Sequence, residues 1–214
     1  MIIVRELTVR YPGASQPALD AVDAEFEPAA VTVLWGHNGS GKSTLLQVLA
    51  GTLPPTSGSV HGVRGSVAYV PQHTRVPELL PLTVRGAVEM GTWRRLGWWR
   101  RLGRDDRRSI ENACARIGLD TLARRRFSDL SGGQRQRVLL AQAIVERADV
   151  VLLDEPATGL DAASRAVIDD VVAAEARRGA AVVMATHHEE HRALADRIVT
   201  LTNGRVDRER EQAS

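Results

Sequence analysis

The chain has almost no lysine. Of its 28 Lys and Arg residues only Lys42 is a lysine. Arginine fills every other such position, so a lysine at 42 points to a site that needs a compact ammonium and not a planar guanidinium. Cysteine is equally scarce. Cys114 stands alone among 214 residues, which excludes an intramolecular disulfide and fits a reducing interior such as the cytosol. No apolar run approaches the roughly 18 residues that cross a bilayer, so work in a membrane is expected to pass through a partner. Met1 to Glu6 reads as the start of a strand and lacks the apolar core and small-residue cleavage site of a secretory signal. An excess of one charge is also lacking. The formal net charge of +2 gives little reason to expect nucleic acid as a partner. Internal repeats and low-complexity tracts are absent.

The length fits one α/β domain with a small insertion. Residues 2 to 10 alternate apolar and polar like a half-buried strand, and Tyr11-Pro12-Gly13 breaks the pattern. Ala30 to Trp35 is a short apolar strand running into a Gly-rich loop, and Ser43 to Ala50 continues with helical spacing until Gly51. Val67 to Val70 is another strand. Residues 83 to 147 carry helical patterns, so a helical subdomain is expected there, inserted into a core of 1–82 and 148–214. Val150 to Leu153 and Ala181 to Met184 read as buried strands joined by a crossover helix from Ala163 to Arg178. Ile198 to Leu201, followed by Asn203-Gly204, predicts a closing hairpin.

Chemistry concentrates in three segments. Gly36-His37-Asn38-Gly39-Ser40-Gly41-Lys42-Ser43 has the spacing of a phosphate-binding loop, with a strand before it and a helix after it. The glycines let successive amides turn inward, the helix end adds positive charge, and Lys42 supplies a point charge for the β- and γ-phosphates of a nucleoside triphosphate. The Ser43 hydroxyl suits Mg²⁺. Asp154 and Glu155 follow four apolar residues, so a buried strand delivers two carboxylates at its carboxyl edge. Asp154 is expected to hold Mg²⁺ and Glu155 to polarise the attacking water, because phosphoryl transfer needs an aligned nucleophile and charge stabilisation. Leu130-Ser131-Gly132-Gly133-Gln134 opens a helix and forms a second anion-binding terminus.

Together Gly36 to Ser43, Leu130 to Gln134 and Val150 to Glu155 resemble the defining motifs of ATP-binding cassette (ABC) ATPases, a resemblance that covers nearly the whole chain. It implies a P-loop NTPase core with an N-terminal antiparallel β edge and an inserted α-helical subdomain. It also implies ATP and Mg²⁺ as cofactors, and a head-to-tail homodimer in which Ser131, Gly132, Gly133, Gln134 and Asp161 of one subunit contact ATP held by the other. Within a subunit, the family pattern assigns ATP contacts to Tyr11, by stacking on adenine, and to the loop through Thr44. Gln72 falls at the position that touches Mg²⁺ and signals to the membrane partner, and His187 at the position that contacts the γ-phosphate. The sequence departs from the family in having His37 where many members have proline, and Thr158-Gly159-Leu160-Asp161 in place of Ser-Ala-Leu-Asp.

His187-His188-Glu189-Glu190-His191 also contains His-x-x-Glu-His, the pattern of a zinc peptidase. No distant third ligand accompanies it, which leaves adventitious surface zinc binding by His188 and His191 as its weaker form. Trp93 to Arg101 concentrates three of the four tryptophans among arginines, which suits either a solvated corner or a surface facing a membrane partner. The insertion from Pro81 to Gly91 and beyond is similar to the ATPases of zinc and manganese importers, with those of siderophore and haem importers sharing much of it. The resemblance thus implies a peripheral subunit at the cytoplasmic face of the membrane. Its partners would be polytopic permease subunits and, indirectly, an extracytoplasmic substrate-binding protein. A soluble ABC ATPase acting on DNA or ribosomes is the alternative; only 88 residues separate Lys42 from Ser131, too few for a long coiled coil, and one cassette is present.

Overall fold

The computed structural model describes residues 1–72, 82–97 and 101–207, so the expected roles of Trp98, Trp99 and Arg100 lie outside the described residues. Two sheets organise the chain. β1 (Ile2–Val9), β2 (Leu19–Phe26) and β4 (Ser57–His61) make an antiparallel sheet in the order β2-β1-β4. The larger sheet contains β3 (Val31–Trp35), β5 (Val67–Val70), β6 (Val150–Asp154), β7 (Ala181–Thr186), β8 (Arg197–Thr202) and β9 (Arg205–Val206), ordered β5-β6-β7-β3-β8-β9. Its first five strands run parallel, and β9 returns antiparallel to β8.

β6 and β7 are buried along their whole length, as strands covered on both faces must be. Their alternating side chains divide two cores. Val150 and Leu152 face the antiparallel sheet and helix α1 (Lys42–Leu49), joining Phe26, Leu45 and Leu46. Val151 and Leu153 face the opposite side, toward α5 (Gly132–Glu146) and α6 (Ala162–Arg177), whose Val138, Ile168 and Val172 join them. The phosphate loop, leading into α1, therefore emerges at the carboxyl edge of a sheet braced from both faces.

Between β5 and β6 the described residues are helical: α2 (Val84–Glu89), α3 (Trp93–Leu96), α4 (Arg104–Arg116) and α5, with one isolated bridge between Thr83 and Arg126. This matches the helical character expected from residue 83 onward. Ser131 starts α5 through reciprocal bonds. Its hydroxyl accepts from the Gln134 amide at 3.3 Å, and its own amide donates to Gln134 Oε1 at 3.0 Å. Asp161 starts α6 by accepting from the Ser164 amide at 2.8 Å. At the β8–β9 hairpin, Asn203 and Gly204 take φ values of 49° and 80°, the two left-handed positions of a type I′ turn. Neither β2 nor β4 stands out in the sequence. The Ser and Gly of β4 carry little strand propensity, and its pairing with β1 supplies what the local sequence does not.

Candidate active site

The phosphate loop leaves β3 and closes on Gly41, which caps α1 at φ 106°; a Cβ there would stand 2.7 Å from the Ala18 carbonyl oxygen. Only glycine fits that turn and that contact. Directly after it, Lys42 folds back so that its ammonium donates to the Gly36 carbonyl at 2.7 Å and the His37 carbonyl at 3.1 Å. Burial lowers the Lys42 pKa, while the nearby Glu155 and Asp154 carboxylates act the other way.

Asp154 ends β6 and Glu155 follows it. Ser43 Oγ donates to Asp154 Oδ1 at 2.9 Å, and the Tyr69 hydroxyl donates to Oδ2 at 3.4 Å. Burial raises the Asp154 pKa, and the Ser43 and Tyr69 bonds oppose it. The same burial, with Asp154 alongside, pushes the Tyr69 pKa up to about 12. Glu155 occupies the left-handed region at φ 49°, which is strained for a residue with a Cβ. That twist turns its carboxylate into a defined nest: Oε1 lies 3.8 Å from Lys42 Nζ and accepts from His187 Nδ1 at 2.9 Å, and Oε2 accepts from Thr158 Oγ1 at 3.3 Å.

A cavity of about 380 Å³ opens over these groups, lined by Tyr11, Ala18, Asn38, Gly39, Gly41, Lys42, Ser43, Thr44, Gln72 and Glu155. Tyr11, half-exposed, comes within 3.3 Å of Thr44 Oγ1 through its hydroxyl. Gly36, His37 and Ser40 shape the loop and do not line the cavity. Ser40 is fully buried, and His37 lies exposed with its ring bonded to the Asn38 carbonyl.

Ser131, Gly132, Gly133, Gln134 and Asp161 do not line the cavity either. They share a different surface of the same chain. A Cβ on Gly133 would meet Leu160 at 2.5 Å, so the start of α5 packs against the loop that ends at Asp161. The chain thus presents this cavity and, apart from it, an exposed helix terminus of the kind that binds anions.

The zinc-peptidase pattern is not assembled. His187 turns toward Glu155, whereas His191 is 1% exposed, bonded through Nδ1 to Thr186 Oγ1 at 2.9 Å, with Nε2 3.5 Å from Asp169. Its burial also corrects the expectation of a surface zinc pair with His188. A short 3₁₀ stretch, Glu189–Leu194, replaces the α-helix that would have aligned the two histidines. Tyr69 and Thr158 join the site without a motif of their own in the sequence. The alternation of β5 carried the signal for Tyr69, since it directs Tyr69 away from Ala68 and Val70 toward the α1 side.

Comparison with known proteins decides the family. The ABC transporter family model matches residues 19–158. The chain belongs to the ABC transporter family. A zinc import ATP-binding protein of Ruegeria sp. (strain TM1040) is 37% identical over 96% of this chain and 78% of its own length. A manganese transport system ATP-binding protein of Listeria innocua serovar 6a is 33% identical over 90% of this chain and 82% of its own. Among solved structures, a dimeric ATP-binding cassette in a post-hydrolysis state with ADP and Pi superposes with a TM-score of 0.87 at 25% identity, covering 100% of this chain and 98% of that one. This ABC protein is accordingly an ATP-binding cassette ATPase. Among its described residues no helix is long and apolar enough to cross a membrane.

Proposed function

We propose that this ABC ATPase powers the import of a divalent metal ion, zinc or manganese, through polytopic permease subunits, docked at the cytoplasmic face of the membrane and served by an extracytoplasmic binding protein. The observation that carries the catalytic part is the Glu155 carboxylate, held between Lys42, Thr158 and His187 beside the phosphate cavity. The metal cargo is supported by the similarity to zinc and manganese transport ATPases.

In this reading ATP lies with its adenine against Tyr11 and its phosphates in the amides of Gly36 to Thr44. Lys42 leaves the loop carbonyls to meet the β- and γ-phosphates. Ser43 Oγ and the Asp154 carboxylate are hard oxygen donors already 2.9 Å apart, with Gln72 lining the same cavity, a set that fits Mg²⁺. Magnesium would supply charge neutralisation between the phosphates. Glu155 accepts the proton of the attacking water, and His187 holds that carboxylate in line and reaches the γ-phosphate. Ser131, Gly132, Gly133, Gln134 and Asp161 complete the site of a second copy, so that ATP closes a homodimer. The core, 1–82 and 148–214, does the chemistry, and the helical region 83–147 carries the closure to the permease.

The test is Glu155→Gln. It should bind Mg-ATP, accumulate dimers by light scattering, and lose at least about a hundredfold of turnover, the scale of a positioned general base. Hydrolysis at the wild-type rate would remove Glu155 from its role. In proteoliposomes, a complex of the chain with its co-purified membrane protein should accumulate zinc or manganese on adding ATP. Uptake of haem or a ferric siderophore in their place would overturn the cargo, and co-sedimentation with ribosomes the transport reading.

A further inference from the structure

The histidines after β7 are more than the phosphate chemistry needs. His187 and His188 are consecutive, yet their rings lie side by side, with centroids 4.3 Å apart and planes tilted by 32°. The His188 amide donates to Thr186 Oγ1 at 3.1 Å, which fixes the turn that brings both imidazoles to one side. Glu155 faces them. One ligand atom from each of Glu155, His187 and His188 lies within 4.8 Å of the others, a combination found nowhere else among the described residues. His188 Nε2 is buried and has no hydrogen-bond partner among the described residues. Unpaired buried nitrogens are rare in native proteins and call for a physical reason, and a cation to ligate is one.

We propose that Glu155, His187 and His188 form an inhibitory site for a divalent transition ion of the zinc class, distinct from the oxygen-lined Mg²⁺ site at Ser43 and Asp154. Two imidazole nitrogens and one carboxylate oxygen are the ligand set of open zinc centres, which keep a fourth position for water, whereas Mg²⁺ prefers oxygen. Zinc bonds of about 2.0–2.1 Å place tetrahedral ligands roughly 3.3 Å apart. The 2.9 Å contact between His187 Nδ1 and Glu155 Oε1 therefore opens slightly, and His188 closes in. The ion takes the place of the proton between that pair, which moves by exchange with solvent to His187 Nε2, so the ring ligates as a neutral imidazole. A carboxylate bound to zinc can no longer take a proton from water, so hydrolysis stops while ATP still binds at Lys42. If the cargo is zinc, ions reaching the ATPase side of the membrane would slow their own import. The inhibition, though not the metal site itself, rests on the proposed role of Glu155.

The experiment uses the full-length protein, saturating Mg-ATP and chelator-buffered free zinc. Wild-type turnover should fall at least tenfold as zinc rises, with ATP binding retained. His188→Ala should hydrolyse ATP at the wild-type rate without zinc and need at least tenfold more zinc for half-inhibition; His188→Asn, which keeps a polar side chain, should behave the same. Cobalt gives a readout independent of turnover: nucleotide-free wild type should develop the visible absorption of a tetrahedral ion, and both His188 variants should not. Equal zinc sensitivity in wild type and variants, as expected if zinc merely displaces magnesium from the nucleotide, would overturn the proposal, as would a cobalt spectrum unaffected by His188. Wild-type hydrolysis that zinc leaves unchanged, alongside a His188-dependent cobalt band, would reject the role of Glu155 and leave the metal site standing.

Discussion

Ser43 Oγ donates to Asp154 Oδ1 across 2.9 Å, tying together residues 111 positions apart. The bond joins the first turn of α1 to the carboxyl edge of β6, so the phosphate loop and the carboxylate form one unit. Tyr69 holds the other oxygen from the neighbouring strand β5. Two hydroxyl donors do not fully offset the loss of water around a buried carboxylate, and the Asp154 pKa is raised. Burial therefore makes the charged form of Asp154 costlier in the fold than in water.

Asp154→Asn should separate stability from activity. A carboxyl whose folded pKa is raised above its unfolded value stabilises the fold most below the unfolded pKa, and loses that contribution as pH rises through the folded pKa. At neutral pH the charged form is thus a net cost, which asparagine avoids. The variant should melt a few degrees higher near pH 7, the shift about 1 kcal/mol gives a chain of this size. The difference should shrink to nothing as pH falls below the ordinary aspartate range. Mg-dependent turnover should drop by at least about a hundredfold. A lower Tm for Asp154→Asn at pH 7 would contradict the assignment of burial as the dominant influence on Asp154.

His191 gives a prediction of opposite sign. It is enclosed by Thr186, Asp169 and His188, with Glu190 and Glu155 near enough to act on its charge. Burial lowers its pKa, and the Asp169 carboxylate opposes that shift. A lowered histidine contributes stability above its unfolded pKa and loses it as pH falls through the folded value. Urea unfolding should show the wild type weakening as pH drops below about 6.5, the unfolded histidine range. His191→Gln cannot titrate, so its stability should fall less over that interval. Parallel pH profiles for the two proteins would rule out a neutral, buried His191.

Much of the fold was legible because local chemistry and global packing agree. The loop from Gly36 to Ser43 shows its glycines, its ammonium and the following helix in eight consecutive residues, and Val150 to Leu153 can be little but a strand buried on both faces. The serine and two glycines at 131–133 likewise mark a helix over 134 to 146, and the structure starts α5 two residues earlier, at Gly132, with Ser131 and Gln134 as a capping pair. Contacts distant in sequence were not legible. Nothing near Tyr69 announces a bond to Asp154, and Glu155 adopts a left-handed backbone that only the surrounding packing can enforce. The histidine cluster misled in one respect, because a helical reading of 187–191 aligns His187 with His191, whereas the 3₁₀ stretch sends His191 into the core.

Lys42 offers a direct probe of the cavity because it is the sole side-chain amine. It is 5% exposed, so access limits its reaction, while burial lowers its pKa and leaves more of it neutral at mildly alkaline pH than an ordinary lysine. An amine-reactive reagent should therefore modify Lys42 alone among side chains, and the α-amino group serves as an internal reference. If ATP binds as proposed, saturating Mg-ATP should draw the ammonium from the Gly36 and His37 carbonyls to phosphate and cover it. Peptide mapping should then show Lys42 labelling slowed by tenfold or more with the α-amine rate unchanged. Fully labelled protein should no longer bind ATP, since the modified nitrogen has lost the charge that the phosphates require. Labelling of Lys42 at the same rate with and without Mg-ATP would show that the phosphates do not come to this ammonium, and would move the nucleotide away from the 380 Å³ cavity.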